Sequence, residues 1–454
     1  MQDMEHTSEG ILSAEDLDFL ETLTRDVADA SRVAPGQRIG GFGPNTTGGT
    51  IVKPGGGDCY PAFWVRDFVM SLEAGISPIA EQEHALALIA RTQQETDWNT
   101  PSGSLVPRGA IVDHISLDGK PIFFPGTVDD YENQGGIWGD LPSLDDHFFF
   151  IHLAWHLAFR EGKAECLQRP VAGTYIAGTS DTGTSVAGTS LIDRLELAYA
   201  VPPYSKESLL VRSDEHTRGV SFGFVDSVEH TGDLLFCSLL KYRAAGELAE
   251  LFGHLGDSRR QTAYAEQARI LRESIDKTFP CRSGLPAAST RSSAQADVWG
   301  AAFGVCIGAF APGQAREIGA ALRDAYREGS LSYRGNIRHL RTWDDFDENT
   351  AWEKTIGGQG AQPKNRYQNG AYWGTPVGWV CGAIAGIDRK CASDLAKEYI
   401  QELREGDYRK GPGFGSPWEC LHPTEDYRQN AVYLTSVACP LAAFKKSTEE
   451  DFPH

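Results

Sequence analysis

Residues 298–310 read VWGAAFGVCIGAF, without one charged side chain. A helix that is apolar on every side must be enclosed by other helices or by lipid. This one is too short for lipid, because a membrane span needs about 20 apolar residues. It is therefore enclosed by protein. The same character returns in FFFIHLAWHLAF at 148–159, TPVGWVCGAIAGI at 375–387 and VYLTSVACPLAAF at 432–444. Glycine and alanine recur in these runs and allow backbones to approach closely.

Between the dry segments lie wet ones. DSRRQTAYAEQARILRESIDKTF at 257–279 and DRKCASDLAKEYIQELRE at 388–405 carry one apolar stripe on a charged background. That is the pattern of an outer helix with one solvated face. Periodicity and end signals predict twelve helices, at 14–32, 63–76, 80–98, 144–161, 190–200, 228–254, 257–279, 294–310, 312–328, 371–386, 388–405 and 429–446. Ser13 and Ser143 read as N-caps followed by acidic first turns. Gly256 and Gly329 read as helix stops. Six wet helices alternating with six dry ones predict an all-α fold, an (α/α)6 barrel. The reading is of a single catalytic domain spanning 1–454, in which the Thr/Gly-rich segment 171–190 is a surface excursion.

Long Gly- and Pro-rich segments, 33–62, 99–143, 329–370 and 406–428, precede inner helices. Loops of such length in a compact chain usually build a site. Short strands are expected in GAIVDHIS at 109–116 and PIFFPG at 121–126. Each dry helix is also entered through rings and polar groups: FWVRD at 63–67, GGIWGDLPSLDDH at 135–147, SFGFVDS at 221–227, TRSSAQADVW at 290–299, RYQNGAYWGTP at 366–376 and GSPWECLHP at 415–423. Inner helices running in parallel would bring all six clusters to one mouth. Aromatic faces stack on sugar rings and polar edges bind hydroxyls, so the expected partner is a carbohydrate.

Composition agrees. The 454 residues are 41% hydrophobic and 23% charged, with a formal net charge of −20. An acidic balance disfavours nucleic acid and anionic membranes. No run of apolar residues is long enough to span a membrane. The first residues, MQDMEHTSEG, lack a basic segment followed by an apolar one, so no signal peptide is expected there. Nine cysteines are scattered without CxxC pairs or zinc spacing, and read as mostly reduced, buried thiols. No cofactor and no metal are expected. WDDFDENTAWE at 343–353 lacks the ordered spacing of an EF-hand loop and reads as solvated. His147, His152 and His156 read as core or supporting residues rather than metal ligands.

The order of these motifs resembles the six-hairpin glycosidases, the superfamily that includes glucoamylases, trehalases and processing α-glucosidases. YPAFWVRDFVMSLEAG at 60–75 is similar to their early aromatic-Asp stretch, which holds the terminal sugar. FGFVDSVEHTGDLLFCSLL, from Phe222, resembles the segment that supplies the general acid. YQNGAYWGTPVGW at 367–379 resembles a pocket-lining stretch. SPWECLHPTEDY at 416–427 is similar to the segment holding the general base. The resemblance covers most of 60–446 and implies an inverting, exo-acting glycoside hydrolase that removes a terminal, α-linked sugar.

It assigns Asp226 as acid and Glu419 as base. Phe222 and Phe224 would keep Asp226 protonated by desolvation. Inversion places the two carboxyls about 6.5–9.5 Å apart, with water between base and sugar. Trp64, Arg66, Asp67, Trp138, Arg291, Gln368, Asn369, Trp373 and Trp418 are expected to hold the sugar. Plainer readings stand beside these roles. Asp226 would cap a helix starting at Val228, Glu419 would be a solvated loop acid, and Arg66 would pair with Asp67. His422 would orient Glu419. Glu132, in DDYENQGGIWGD, is a rival acid similar to that of α-L-rhamnosidases on the same barrel. An unsaturated-uronyl hydrolase would use Arg66, Arg291 and Arg366 to hold a carboxylate. A sugar epimerase would need paired histidines at the mouth, a polysaccharide lyase more positive charge, and a sugar-binding protein neither acid.

Overall fold

The computed structural model describes residues 10–100, 103–124, 141–171, 189–214, 219–279, 281–344 and 364–449. Among them are twelve helices: α1 (Ala14–Ser31), α2 (Val65–Met70), α3 (Ile79–Thr92), α4 (Asp146–Phe159), α5 (Leu191–Tyr199), α6 (Leu235–His254), α7 (Ser258–Thr278), α8 (Val298–Cys306), α9 (Pro312–Arg327), α10 (Val377–Ala385), α11 (Arg389–Gly406) and α12 (Thr435–Glu449). The even-numbered helices pack in a closed cycle: α2 on α4, α4 on α6, α6 on α8, α8 on α10, α10 on α12, and α12 back on α2. The odd-numbered helices lie between and outside them. This is the (α/α)6 barrel that the alternation of dry and wet segments predicts.

The inner helices pack closely because glycine permits it. A Cβ on Gly378 of α10 would stand 2.6 Å from the Cβ of Ala443 and 2.9 Å from the Cα of Pro440 on α12. One on Gly319 of α9 would stand 2.5 Å from the carbonyl oxygen of Ala383 on α10. Neither backbone could stay where it is with a larger residue. The stops at Gly256 and Gly329 are as expected, with φ of 77° and 73° in the left-handed region. Ser13 caps α1 by accepting from the Asp16 amide at 3.1 Å.

Several inner helices begin later than expected. The chain enters them through strands rather than turns. β1 (Ala62–Trp64), β2 (His114–Ser116) and β3 (Pro121–Ile122) form an antiparallel sheet in that order. β4 (Ser332–Tyr333), β5 (Asn336–Arg338), β6 (Tyr372–Trp373), β7 (Trp418–His422) and β8 (Tyr427–Ala431) form a second. The expected helix at 371–386 thus gives its first residues to β6, and that at 429–446 gives its first to β8. Residues 228–234 are likewise outside α6, because Gly232–Asp233 pairs with Arg212–Ser213. Aromatic and β-branched residues favour strands, and here they fix the rim of the barrel. The strands expected in 109–116 and 121–126 are β2 and β3.

All nine cysteines are free thiols, six of them buried. No described helix is long and apolar enough to cross a membrane.

Candidate active site

The N-terminal ends of the inner helices gather at one end of the ring. Arg66 on α2 reaches Asp145 and Asp146 at the start of α4. Asp145 in turn accepts from the Gly223 amide at 3.0 Å, in the loop before α6. The Gln368 side chain, ahead of α10, donates to the Gly223 carbonyl at 3.0 Å and accepts from the Ser227 amide at 2.8 Å. Trp299 on α8 packs edge-on against Trp373 at 5.8 Å. Tyr433, at the entry to α12, donates to Asp67 on α2 at 2.8 Å.

Glu419 lies at the centre of this end, on β7, and is 1% exposed. Asn430 on β8 donates to one carboxyl oxygen at 2.6 Å, and the Tyr60 hydroxyl donates to the other at 3.2 Å. Tyr60 also meets the Tyr367 hydroxyl at 3.3 Å. Burial pushes Glu419 up to about 8; the negative charges of Asp67 and Asp226 push the same way, against the two donors. Glu419 is not a solvated loop acid.

Asp226 follows a short 3-10 turn, Gly223–Val225. It does not cap a helix, because α6 begins only at Leu235. Phe222 and Phe224 pack against each other and against Trp299. Desolvation raises the Asp226 carboxyl to about 7, with hydrogen bonding from Gln368 opposing. Its Oδ1 is buried without a hydrogen-bond partner. Asp67 is the third member, raised by burial to about 6 against the pull of Arg66 and Tyr433. Tyr60, Tyr367 and Asn430 have φ of 40°, 44° and 44°. Left-handed backbone at non-glycine residues is costly and tends to concentrate at functional sites.

A second carboxylate cluster adjoins the first. The guanidinium of Arg66 binds Asp113 at 2.8 Å and Asp145 and Asp146 at 2.9 Å each, all of them buried. Burial raises Asp146 well above the usual carboxylate range against the pull of Arg66, and the charges of Asp145, Asp113 and Asp67 add to the effect. Asp113 is held below that range, the pull of Arg66 and His114 overcoming its burial.

These contacts revise several expectations. Arg66 pairs with Asp113, Asp145 and Asp146 rather than with Asp67, and is only 3% exposed. Gln368 is fully buried and holds the Asp226 loop rather than facing a ligand. Trp373 is also fully buried, packed among Phe224, Trp299, His339 and Tyr367. Arg291 is exposed near Asp233, whose carboxyl burial raises against the pull of Arg212 and Arg291. His422 accepts from the Thr424 amide at 3.0 Å and so fixes a turn, not Glu419. Asp145 and Asp146 serve Arg66, and no side chain caps α4 as Ser143 was expected to.

Trp64 stays partly exposed, stacked on His114 at 4.2 Å and edge-on to Tyr60 at 5.3 Å. Trp418 is partly exposed under the Arg428 guanidinium. Asn369 is buried in the turn whose amide bonds to the Arg366 carbonyl at 2.9 Å. Trp138, Glu132, most of 343–353 and most of 171–190 lie outside the described residues. His147, His152 and His156 take the Ile111 amide, Glu247 and Gln82 as partners. Among the described residues no metal-binding cluster exists.

The expected list missed Tyr60, Asn430, Tyr367 and Tyr433. Three of them sit in segments already quoted as motifs. Their signal was the density of tyrosine beside Asp67, Gln368 and the final inner helix.

No family model and no curated protein matches the chain. Solved structures match it in fold. A glucoamylase from Hormoconis resinae aligns with a TM-score of 0.56 at 12% identity, over 95% of this chain and 73% of that one. The likeness is one of fold. A mannosylglycerate hydrolase of glycoside hydrolase family GH63 from Thermus thermophilus, in complex with glucose, aligns at 0.52 and 12% identity, over 94% of this chain and 100% of that one. A rhamnosidase from Klebsiella oxytoca with rhamnose bound aligns at 0.52 and 12%, over 96% of this chain and 64% of that one. Against this six-hairpin frame, the Asp67–Asp226–Glu419 cluster stands at the end of the barrel where the loops converge.

Proposed function

We propose that the chain is a glycoside hydrolase, inverting and exo-acting, with Asp226 as general acid and Glu419 as general base. One observation carries the reading. Two carboxyls far apart in sequence, Glu419 buried and Asp226 partly buried, lie at the mouth of the barrel; the charge of Asp226 reaches Glu419, and among the described residues neither forms an ion pair with a cation. Such a pair keeps a proton near neutral pH, and acid–base cleavage needs one protonated and one ionised group.

We assign the roles from the donors, although burial lifts Glu419, to about 8, above Asp226, at about 7: Asn430 and Tyr60 both point hydrogen at Glu419, which favours its carboxylate as base. Asp226 has an oxygen without a donor, which favours its protonated form as acid. Asp226 would protonate the departing glycosidic oxygen. Glu419 would take a proton from water as that water attacks the anomeric carbon from the opposite face. Trp64, Trp418, Asp67 and Asn369 remain the proposed sugar contacts, with Trp138. The uronyl-hydrolase reading loses support, since Arg66 is engaged by aspartates.

The test is hydrolysis of 4-nitrophenyl α-glucoside, α-mannoside and α-L-rhamnoside, followed by proton NMR of the first sugar released. Turnover of one of them with inverted anomeric configuration, lost in both Asp226→Asn and Glu419→Gln, is expected. Retention of configuration would overturn the inverting mechanism. Full activity in either folded variant would overturn the pair and turn attention to Glu132.

A further inference from the structure

The inner helices also enclose space at the other end of the barrel. Their C-terminal parts line a cavity of about 520 Å³, within the range of small-molecule pockets. Its floor is aromatic: Phe303 lies 5.1 Å from both Phe236 and Trp379. Its polar wall is a chain of paired charges. Lys446 binds Glu73 at 2.6 Å, His152 bridges Glu73 at 3.3 Å and Glu247 at 2.5 Å, and Arg243 lies 3.6 Å from Glu247.

We propose that this cavity binds a small uncharged aromatic molecule carrying a hydroxyl, of the phenol type, independently of the sugar-facing mouth. Three features select that chemistry. The floor offers rings for stacking and would leave a sugar's hydroxyls unpaired. The charges in the wall already have partners, so a charged ligand would have to break a pair. Yet the wall is not saturated: Glu247, nine-tenths buried, keeps Oε2 without a hydrogen-bond partner, and Arg243 keeps Nε and Nη2 without one. These atoms lie just beneath the cavity surface rather than on it; a rotation of either side chain, both of which line the cavity, presents them to a hydroxyl, which can donate to the first and accept from the second.

Gly246 supports the inference from the backbone side. It lies inside α6, where glycine costs stability relative to alanine, and its φ is not in the left-handed region. A Cβ there would meet nothing within 4 Å. Neither backbone conformation nor crowding calls for glycine, and what its absent side chain preserves is open volume.

The probe is 4-methylphenol, titrated into the native protein by isothermal calorimetry, with toluene and D-glucose as comparators. Saturable one-to-one binding of 4-methylphenol is expected, with toluene at least tenfold weaker. Gly246→Phe should weaken 4-methylphenol at least tenfold, and Gly246→Leu, the milder filling, serves if the phenylalanine variant does not fold. Glu419→Gln should bind 4-methylphenol as the native protein does, so the result stands whether or not the mouth is hydrolytic. Absence of saturable binding, or native affinity in a folded Gly246 variant, would overturn the site. Equal affinity for toluene, or D-glucose competing with 4-methylphenol, would overturn the ligand class.

Discussion

Two carboxylate clusters lie side by side at the mouth of this barrel, and they differ in one respect. Asp113, Asp145 and Asp146 surround a guanidinium; Asp67 and Asp226 feel that guanidinium only from beyond ion-pair distance, and Asp67 and Glu419 take their hydrogen bonds from neutral groups, Tyr433, Asn430 and Tyr60. The first arrangement ties α2, α4 and the loop before α6 together, because each aspartate can be satisfied only in one place. The second ties nothing strongly and leaves protons to move. Charge compensation makes one cluster a joint; its weakness in the other suits the proton chemistry proposed for it.

That contrast is broken most directly by neutralising the uncompensated acids. Asp226→Asn or Glu419→Gln should lower kcat on the glycoside found to be a substrate by about 10²–10⁴-fold, with the far-ultraviolet circular dichroism unchanged. A loss below tenfold in both would mean that the cluster is not the catalytic one.

The next largest effect belongs to the joint. Arg66→Met removes the cation and leaves three buried carboxylates facing one another, which should cost about 3–5 kcal/mol. Thermal melting should show a large fall in Tm at pH 7, recovered in part at pH 4, where the aspartates can take up protons. An unchanged Tm would show that Arg66 does not hold the mouth together.

The pH dependence of stability separates the clusters further. Asp226 and Glu419 are raised, to about 7 and about 8, by burial. The unfolded chain ionises them near their ordinary values of about 4. Their protonated forms therefore favour folding at pH 4, and that contribution is lost as pH rises through 7 to 8. Asp226→Asn should melt higher than the native protein at pH 8, with the difference shrinking toward pH 4. The activity of the native enzyme should fall on its alkaline side as the acid loses its proton. Replacing Glu419 by glutamine removes a negative neighbour, so Asp226 in that variant should titrate lower, as carbon-detected NMR of its carboxyl would show.

The ring of helices was legible because one periodicity repeated twelve times, and each dry segment had no alternative to burial. Motif order put forward Asp226 and Glu419, the pair proposed here for catalysis, and burial raises both carboxyls. The role of Arg66 was not legible. Its partners come from residues 113, 145 and 146, and no local pattern tells a guanidinium facing a sugar from one enclosed by aspartates. Gln368 and Trp373, both fully buried, show the same ambiguity: polar and aromatic residues near a mouth serve both the wall and what lies behind it. The late helix starts were missed because strand pairing between β5, β6, β7 and β8 joins segments that sequence reading treats one at a time.

The smallest expected effect tests the finest part of the contrast, the neutral donors that stand where the joint has a cation. Tyr60→Phe removes one hydroxyl from Glu419 and leaves the ring that packs on Trp64 and Tyr433. A neutral hydrogen bond of this kind contributes about 0.5–1.5 kcal/mol. Glu419 loses a donor that favours its charged form, so its carboxyl should titrate higher and its ionised fraction at neutral pH should fall. The acidic limb of the activity profile should then move to higher pH, with activity at pH 6 down about two- to tenfold and the loss fading only above pH 8, where Glu419, raised to about 8, becomes ionised in both proteins. A uniform loss at every pH would instead assign Tyr60 to sugar binding rather than to the base. Asn430→Ala removes the other donor to Glu419 and should shift the limb in the same direction, so the two substitutions together measure how far neutral hydrogen bonds alone can keep a buried carboxylate charged.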